Sequence, residues 1–275
     1  IVCPSYTMLR DGHVCDDCLT GSVSNAFRHR CQQGDTFKSL LLSLEAYWQK
    51  FAQNYAMLDC IIAPSEFMRQ TLLRKLPRSR IDVIVNGIDA STTIPGDTAG
   101  DYFLYIGRLS REKGVATLAL AQQKMQQSMP LKIVGDGPLG SDLRARFSGP
   151  EFLGYMRHGD ALNALIRGAR AVIVPSEYYE NCSMSVLEAM AFGRPVVGGN
   201  IGGIPEQIRD GIDGYLVEPG DADALARIMD SLAVNPQQAR EMGINARQRL
   251  EEKYDLARHM QVLQELYQQL VGEAK

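Results

Sequence analysis

From Tyr102 onward, short apolar runs rich in β-branched residues alternate with longer segments of helical periodicity. Strands that alternate with helices indicate βαβ units and a parallel sheet. Because these strands are apolar along nearly their whole length, we expect both faces of the sheet to be covered. The pattern predicts a doubly wound α/β domain over about residues 100–250. The predicted strands are YFLYIG (102–107), LKIVGD (131–136), EFLGY (151–155), AVIVPS (171–176), PVVGG (195–199) and YLVEP (215–219).

The first hundred residues carry a shorter α/β pattern. It consists of a long predicted helix (36–58), a strand CIIAPS (60–65), a helix EFMRQTLLRKL (66–76) and a strand IDVIVN (81–86). Two strands and two helices cannot cover both faces of a parallel sheet. We therefore expect the leading strands of this domain to be absent from the chain. The segment GIDASTTIPGDTAGD (87–101) is rich in Gly, Ser, Thr and Pro and predicts a linker.

One carboxylate interrupts an otherwise apolar predicted helix. The run CSMSVLEAMAF (182–192) is apolar on nearly every side, which is typical of a buried helix, yet it carries Glu188 in its middle. Glutamate is almost never fully buried without a partner, and an unpaired carboxylate in a core would neutralise. Glu188 is therefore expected either to pair with an internal cation such as Arg194 or to face a cleft and bind a ligand.

Composition and charge narrow the functional classes. The 275 residues are 45% hydrophobic and 22% charged, which is ordinary for a soluble globular protein. The net charge of −3 gives no bulk electrostatic case for nucleic acid or a membrane surface. No stretch approaches the apolar length of a membrane helix and no signal peptide is visible, so a cytoplasmic location is expected. His158 and His259 are interpreted as surface residues.

Residues that could bind a ligand follow the ends of the predicted strands. Doubly wound sheets bind their ligands at the carboxyl ends of the strands. After the first strand of the larger domain comes GRLSREKG, in which Gly107 and Gly114 allow close turns. Arg108 and Lys113 in the same loop carry positive charge suited to phosphate groups.

A second loop, SEYYENCSMSV, follows the strand AVIVP and leads into the predicted helix. The backbone N–H groups at a helix start bind anions or hydroxyls, and Asn181 and Ser183 are natural capping residues. Glu180 precedes the helix and Glu188 lies about two turns further on, on roughly the same side. Two carboxylates and two cations at one sheet edge suggest a ligand with both hydroxyls and phosphates.

These motifs carry a family resemblance. YIGRLSREKGV, KIVGDGP and VPSEYYENCSMSVLEAMAFGRPVVGGNIGGIPEQI closely resemble the C-terminal half of family-4 retaining glycosyltransferases (group 1) of the GT-B fold. The E-x(7)-E pair, the R-x(4)-K pair and the GG-x-PE turn stand in the family's order and spacing. APSEFMRQTLL and VIVNGID resemble the last parts of the family's N-terminal domain.

The resemblance implies two Rossmann-like doubly wound domains that face each other across a cleft, the N-terminal one incomplete here. Residues 1–94 would belong to the acceptor-side domain, 95–254 would form the domain that binds the nucleotide-sugar donor, and 255–275 would be a helix crossing back toward the N-terminal domain.

The resemblance also implies roles for single residues. Arg108 and Lys113 would hold the donor diphosphate and stabilise the charge of the leaving group. Glu188 would accept hydrogen bonds from the ribose, Glu180 would contact the transferred sugar, and the loop around Tyr155 and Met156 would lie near the base. The implied catalytic residues are Arg108, Lys113 and Glu180, and the implied binding residues are Gly107, Arg108, Lys113, Asn181, Cys182, Ser183 and Glu188.

The implied activity is retaining transfer of a sugar from a UDP- or GDP-sugar to a polysaccharide, glycolipid or similar acceptor hydroxyl, without a metal at the diphosphate. Peripheral membrane association through the absent N-terminal part is a further expectation. Two alternatives stay open: a chain that binds a nucleotide sugar without transferring it, and a nucleotide-sugar epimerase of the GT-B fold.

The cysteines near the start predict a separate site. In CDDC, a two-residue gap lets Cys15 and Cys18 bind one zinc ion, and Cys3 and Cys31 could complete a structural four-thiolate site. The alternatives are reduced thiols in a loop, or disulfides in an oxidising compartment. The lack of a visible secretion signal disfavours disulfides.

Overall fold

The computed structural model of the protein describes residues 2–96, 98 and 100–273. Asp97 and Ala99 of the predicted linker and Ala274 of the last predicted helix lie outside the described residues. The chain divides into two compact units: unit 1 is Ile1–Val85 with Val262–Lys275, and unit 2 is Asn86–Gln261. The domain bounds implied by the family resemblance stay predictions.

Unit 1 contains an antiparallel hairpin of β1 (Leu9–Arg10) and β2 (His13–Val14) and a parallel pair of β3 (Ile61–Ala63) and β4 (Ile81–Val83). Its small core consists of Ala63, Leu72 and Ile81, against which Val2 and Met68 pack. The elements are β1 (Leu9–Arg10), β2 (His13–Val14), α1 (Asp17–Thr20), α2 (Asn25–Arg28), α3 (Thr36–Phe51), β3 (Ile61–Ala63), α4 (Glu66–Leu73) and β4 (Ile81–Val83).

The long helix predicted over 36–58 is shorter in the structure. Helix α3 ends at Phe51 because Gln53 adopts a left-handed backbone conformation with φ 51°. A 3-10 turn over Asn54–Met57 then continues the chain. The hydrophobic periodicity was sufficient to predict the helix, but it carried no signal for the break.

The apolar side chains of α3 are largely exposed. Its buried residues are Ser39 and Ser43, whereas Trp48 is 64% exposed and Phe51 is 81% exposed. Within the described residues, no helix is both long enough and apolar enough to cross a membrane.

In the described part of unit 2, six parallel strands form one sheet. All six strands predicted from the sequence are present, each within two residues of the expected bounds. They are β5 (Phe103–Ile106), β6 (Leu131–Val134), β7 (Glu151–Gly154), β8 (Ala171–Val174), β9 (Val196–Gly199) and β10 (Gly214–Val217). The helices are α5 (Val115–Lys124), α6 (Gly140–Arg146), α7 (Asp160–Gly168), α8 (Met184–Ala191), α9 (Ile204–Gln207), α10 (Ala222–Val234) and α11 (Pro236–Lys253). Helix α12 (Leu256–Glu273) begins in unit 2, and its residues from Val262 onward belong to unit 1.

The strand order is β10-β9-β8-β5-β6-β7. The chain therefore runs from β5 through β6 to β7, returns to the other side of β5 as β8, and continues outward to β9 and β10. Phe103 of β5 is in register with Leu131 on one side and with Ala171 on the other. The order reverses between β5 and β8, and such a switch point opens a crevice at the carboxyl ends of the strands.

Helices cover the sheet, as the continuous apolar strands predicted. Leu118 of α5 and Met229 of α10 are fully buried with Phe103 and Ile133 in one apolar cluster. In α8, Leu187 and Met190 are also buried. Fully burying a side chain of this size stabilises the fold by roughly 1.5–3 kcal/mol.

The described part of the predicted linker packs on unit 2. Arg247 of α11 donates hydrogen bonds to the Ala90 carbonyl at 2.7 Å and to Thr93 Oγ1 at 2.6 Å. The backbone N–H of Ile88 donates to the Tyr254 carbonyl at 2.9 Å. The segment therefore belongs to unit 2, which begins at Asn86, and hydrogen bonds hold it there. Its role as the linker between the two domains of the family stays a prediction.

A buried arginine gives a test of the fold. Arg170 is 8% exposed, and its guanidinium donates to the carbonyls of Gly100 at 2.9 Å, Leu232 at 2.6 Å and Ala233 at 2.9 Å. We expect Arg170→Met to lower the free energy of unfolding by about 3 kcal/mol, because buried carbonyls lose their donors. Urea denaturation measures it. Arg240→Met, at an exposed position of α11, is the control, and equal losses in both variants would contradict the expectation.

Candidate functional site

The loops after β5 and β8 bring Lys113 and Glu180 into direct contact. Lys113 Nζ donates to Glu180 Oε1 at 2.6 Å and to Tyr178 Oη at 2.9 Å. Ser176 Oγ donates to the same Glu180 oxygen at 3.1 Å. Burial acts to lower the pKa of Lys113, but Glu180 and the Tyr178 hydroxyl outweigh it, so the pKa lies above its ordinary value. Lys113 is therefore a fixed positive charge at this edge of the sheet.

Glycines allow the loops of the site to approach each other. Gly114 is left-handed with φ 70°, and a Cβ there would lie 1.8 Å from the Pro175 carbonyl oxygen. Gly203 donates its N–H to the Glu180 carbonyl at 2.6 Å, and a Cβ on Gly203 would lie 2.0 Å from the Asn181 carbonyl oxygen. The glycine pair of the GG-x-PE motif thus supports the backbone that carries Glu180.

Arg108 lies at the carboxyl end of β5 with its side chain exposed. Its carbonyl accepts hydrogen bonds from Tyr105 Oη at 2.9 Å and from the Ser110 N–H at 3.0 Å, so its backbone is fixed. Gly107, just before it, donates its N–H to the Val134 carbonyl at 3.0 Å. Among the described residues the Arg108 guanidinium has no ion pair. It is therefore the cation of this loop that is available to an anionic ligand.

The start of α8 is held differently from the prediction. Ser183 occupies the N-cap position, but its side chain makes no capping hydrogen bond, and Asn181 is exposed in the preceding loop. Instead, the Gln207 side chain accepts from the Ser183 N–H at 2.8 Å and donates to the Ser183 carbonyl at 3.0 Å. Gln207 is 2% exposed. Ser183 thus occupies the predicted N-cap position without the side-chain capping hydrogen bond, and Gln207, 24 positions away, fixes the Ser183 backbone instead.

Cys182 lies beside this helix start. Gln207 Nε2 donates to its sulfur at 3.5 Å. Burial raises the pKa of Cys182 to about 11, so the thiol is protonated at neutral pH. Cys182 therefore acts as a small lining residue and not as a nucleophile.

Glu188 lies in the middle of α8, and its side chain is 20% exposed. Among the described residues, the group within ion-pair range of Glu188 is the imidazole of His158, whose Nδ1 lies 3.8 Å from Glu188 Oε1. Arg194, the alternative partner considered from the sequence, donates instead to the Thr98 carbonyl at 2.5 Å. Burial raises the pKa of Glu188, and His158 offsets this only in part. A half-buried carboxylate with so weak a protein partner is a candidate ligand-binding group.

His158 was missed by the sequence analysis, which interpreted it as a surface residue. The side chain is indeed 81% exposed, but its ring faces Glu188. It follows β7 by four residues, and the other site residues likewise follow the ends of β5 and β8. Its position just after the end of β7 was the signal in the sequence that could have identified His158 as a site residue. Tyr155, in the same loop, is 72% exposed, and its predicted closeness to a base stays a prediction.

The four cysteines of the predicted metal site lie in unit 1 and do not belong to this group. Cys3, Cys15, Cys18 and Cys31 are free thiols, and Cys18 is buried. The prediction that they bind metal stays a prediction.

Two family models match the chain. The model for Glycosyl transferases group 1 covers residues 100–235, which include the sheet of unit 2 and the loops with Lys113, Glu180 and Glu188. The model for Glycosyltransferase Family 4 covers residues 27–92. The chain belongs to the family-4, group 1 glycosyltransferases. Its fold is the GT-B fold expected from the motifs.

Known relatives of this glycosyltransferase include the α-maltose-1-phosphate synthase of Mycolicibacterium smegmatis, 29% identical over 246 residues, which are 77% of this chain and 63% of the relative. Sucrose-phosphate synthase from Thermosynechococcus elongatus matches with a TM-score of 0.70 and 27% identity over 78% of this chain and 59% of that chain. Anabaena HepE, solved in complex with UDP-glucose, matches with a TM-score of 0.68 and 22% identity over 77% of this chain and 64% of that chain. The chain spans less than two thirds of the length of each.

The raised pKa of Glu188 gives a stability test for this glycosyltransferase. Because burial raises the pKa of Glu188, its charged form opposes folding, and the wild type loses stability relative to a neutral variant as pH rises through that raised pKa. We expect Glu188→Gln to match the wild type near pH 4 and to have the higher unfolding temperature at pH 8, as measured by calorimetry.

The matched control is Glu180→Gln, which breaks the 2.6 Å ion pair with Lys113. This variant should be less stable than the wild type at pH 8. A Glu188→Gln variant that is also destabilised at pH 8 would show that Glu188 belongs to a structural ion pair.

Proposed function

We propose that the chain is part of a retaining glycosyltransferase that moves a sugar from a nucleoside-diphosphate sugar to the hydroxyl of a polysaccharide, glycolipid or similar acceptor. One observation carries the proposal: Lys113 and Glu180 meet at the switch point between β5 and β8, and Glu188 is half-buried in the helix that follows. Two of the named relatives are a maltose-1-phosphate synthase and a sucrose-phosphate synthase, and the HepE structure holds UDP-glucose.

The charges at the site fit the parts of such a donor. Arg108 is exposed and unpaired among the described residues, so it can bind the diphosphate as a bidentate donor. Lys113 Nζ donates to Glu180 Oε1 at 2.6 Å. A phosphate that draws Lys113 away frees the Glu180 carboxylate to accept hydrogen bonds from sugar hydroxyls. Glu188 accepts hydrogen bonds from the ribose hydroxyls. This contact accounts for a carboxylate at a position where burial disfavours its charged form.

The proposed chemistry breaks the bond between the anomeric carbon and the β-phosphate oxygen and forms one to the acceptor oxygen. The acceptor proton passes to the departing phosphate oxygen on the same face, so configuration is retained. Negative charge builds on the leaving diphosphate, and Arg108 and Lys113 stabilise it electrostatically. We propose that these two cations serve where other transferases use a divalent metal.

A second candidate follows from the coverage of the relatives. Because the chain spans less than two thirds of each relative, it could bind the donor without transferring the sugar. Incubation with the donor and a panel of acceptor sugars separates the possibilities: a glycosylated acceptor supports transfer, and donor binding without product supports the binding function. An isomeric nucleotide sugar formed without acceptor would indicate an epimerase.

Calorimetric titration with UDP, GDP and ADP tests the ribose contact. We expect one of the nucleotides to bind and Glu188→Ala to weaken it roughly 10- to 100-fold, because hydrogen bonds to a charged group contribute about 1.5–3 kcal/mol. Glu252→Ala, an exposed carboxylate of α11, should leave the affinity unchanged. A Glu188→Ala variant with wild-type affinity would remove Glu188 from the site.

The diphosphate contact is tested by comparing a nucleotide with its nucleoside. Lys113→Ala should weaken binding of the nucleoside diphosphate at least about tenfold and leave the weaker binding of the nucleoside unchanged, since only the former carries the charge. Glu188→Ala should weaken both. The control is Lys124→Ala, which loses a surface pair with Asp223. Equal effects of Lys113→Ala on both ligands would contradict a phosphate role.

A further inference from the structure

Unit 1 contains a cavity of about 720 Å³ that is lined by residues of this unit alone. Its size falls within the range of small-molecule sites in proteins, roughly 300–1,000 Å³. The wall is formed by parts of residues 3–23, by helix α3 with the turn that follows it, and by the residues just after α4. None of these residues belongs to the donor site described above, so the cavity is a separate place for a ligand.

The cavity lies at the end of α4 that is remote from the carboxyl end of β3. Helix α4 begins at Glu66, shortly after β3, whereas Arg74, Lys75 and Leu76 of the cavity wall follow the last residue of the helix. The chain then returns to the amino end of β4, which runs parallel to β3. Doubly wound sheets bind their substrates at the carboxyl ends of the strands. The cavity is therefore at the opposite edge of the β3–β4 pair.

Positive charge predominates among the side chains that line the cavity. Within the described residues, the charged ones are Lys50 and Glu45 of α3 and Arg74 and Lys75 after α4. Lys75 is half-buried, and its Nζ donates to the Gly21 carbonyl at 3.1 Å. Burial lowers the pKa of Lys75, and the positive charge of Lys50 lowers it further. The two lysines thus repel each other, and an anion bound beside them relieves that repulsion.

Two of the cations in the wall are available to a ligand. Lys50 and Arg74 are exposed, and in the part of the chain that the structure describes neither side chain has a hydrogen bond or an ion pair. An arginine guanidinium binds a carboxylate or phosphate through two parallel hydrogen bonds, and a lysine adds a compact positive charge. This pair of side chains therefore suits a ligand that carries an oxyanion group.

The rest of the wall suits a ligand with hydroxyl groups. Tyr6, Tyr47 and Tyr55 line the cavity, and the hydroxyl oxygens of Tyr47 and Ser22 lie 2.6 Å apart. Burial raises the pKa of Tyr55, and the neighbouring Tyr6 and Glu45 add to the effect. Hydroxyl groups donate and accept hydrogen bonds, and a carboxylate accepts them. A small inorganic anion would use only the cations, whereas a sugar would also use these groups.

We propose that this cavity of unit 1 binds a sugar that carries an oxyanion group, either a carboxylate or a phosphate. The oxyanion binds Arg74 and Lys50, and the sugar hydroxyls bind the tyrosines and Glu45. The choice of a sugar over another organic anion rests on the proposed glycosyl transfer, whereas the choice of an anion rests on the cavity alone. The cavity is a second saccharide site, which takes no part in the transfer.

Calorimetric titration of the full chain with glucuronic acid, glucose 6-phosphate and glucose tests the proposal. We expect at least one of the two charged sugars to bind, and glucose to bind at least about tenfold more weakly because it lacks the oxyanion. Comparison of the two charged sugars identifies the oxyanion that the cavity takes. Inorganic phosphate that binds as tightly as the charged sugars would overturn the proposal, and so would a chain that binds neither charged sugar.

Two variants locate the bound sugar in the cavity. Arg74→Ala and Lys50→Ala should each weaken binding of the charged sugar roughly tenfold or more. Both variants should fold, because these side chains are exposed and bond to no described residue. Arg78→Ala, an exposed arginine of the same unit outside the cavity wall, is the matched control and should bind as the wild type does. Equal weakening by Arg78→Ala would show a non-specific attraction between charges and contradict the site.

The donor site supplies the second control. Lys113→Ala should leave binding of the charged sugar unchanged, and Arg74→Ala should leave binding of the nucleoside diphosphate unchanged. A charged sugar that is lost in Lys113→Ala but retained in Arg74→Ala would lie at the donor site, which would overturn the proposal. A charged sugar that binds the cavity of a chain without affinity for any nucleoside diphosphate would support the cavity and contradict the proposed function alone.

Discussion

The parallel pairing of β5 with β8 is the constraint on which the donor site depends. These strands are separated in sequence by β6, β7 and three α-helices, yet Phe103 and Ala171 lie in register beside each other. That pairing places the loop with Lys113 next to the loop with Glu180 and creates the switch point at which ligands bind. Gly114 and Gly203 then allow backbone to approach backbone where any side chain would collide. The loops that carry the charged residues are thus positioned by a rigid apolar sheet, and the Lys113–Glu180 ion pair joins the two loops.

Within this frame, the two glutamates of the E-x(7)-E motif differ in their surroundings. Glu180 accepts hydrogen bonds from both Lys113 and Ser176, so its charge has partners within the protein. Glu188 has only the His158 ring at 3.8 Å within ion-pair range among the described residues, and burial raises the pKa of Glu188. Natural proteins depart from the rules of stable packing mainly where function requires it. Because their surroundings differ, the neutral variants Glu180→Gln and Glu188→Gln are expected to change stability in opposite directions. A purely structural role for both glutamates would instead make both variants less stable.

The two units differ in the apolar surface that their described cores bury. Unit 2 buries a continuous apolar cluster on its sheet, with side chains such as Leu118 and Ile133 fully removed from solvent. The described core cluster of unit 1 is small and lies around Ala63, Leu72 and Ile81, and α3 leaves Trp48 and Phe51 exposed. Hydrophobic burial therefore contributes more to the stability of unit 2 than to that of unit 1.

The sequence by itself determined the elements of unit 2 and the types of residue at its site. Alternating apolar runs located all six strands, and the R-x(4)-K and E-x(7)-E spacings identified Arg108, Lys113, Glu180 and Glu188, because period and spacing are local properties of a chain. Three features were decided only by the tertiary structure: the pairing of β5 with β8, the contact of Gln207 with the Ser183 backbone, and the approach of His158 to Glu188. Each joins residues distant in sequence, and such contacts depend on strand order and loop paths, which no local pattern encodes.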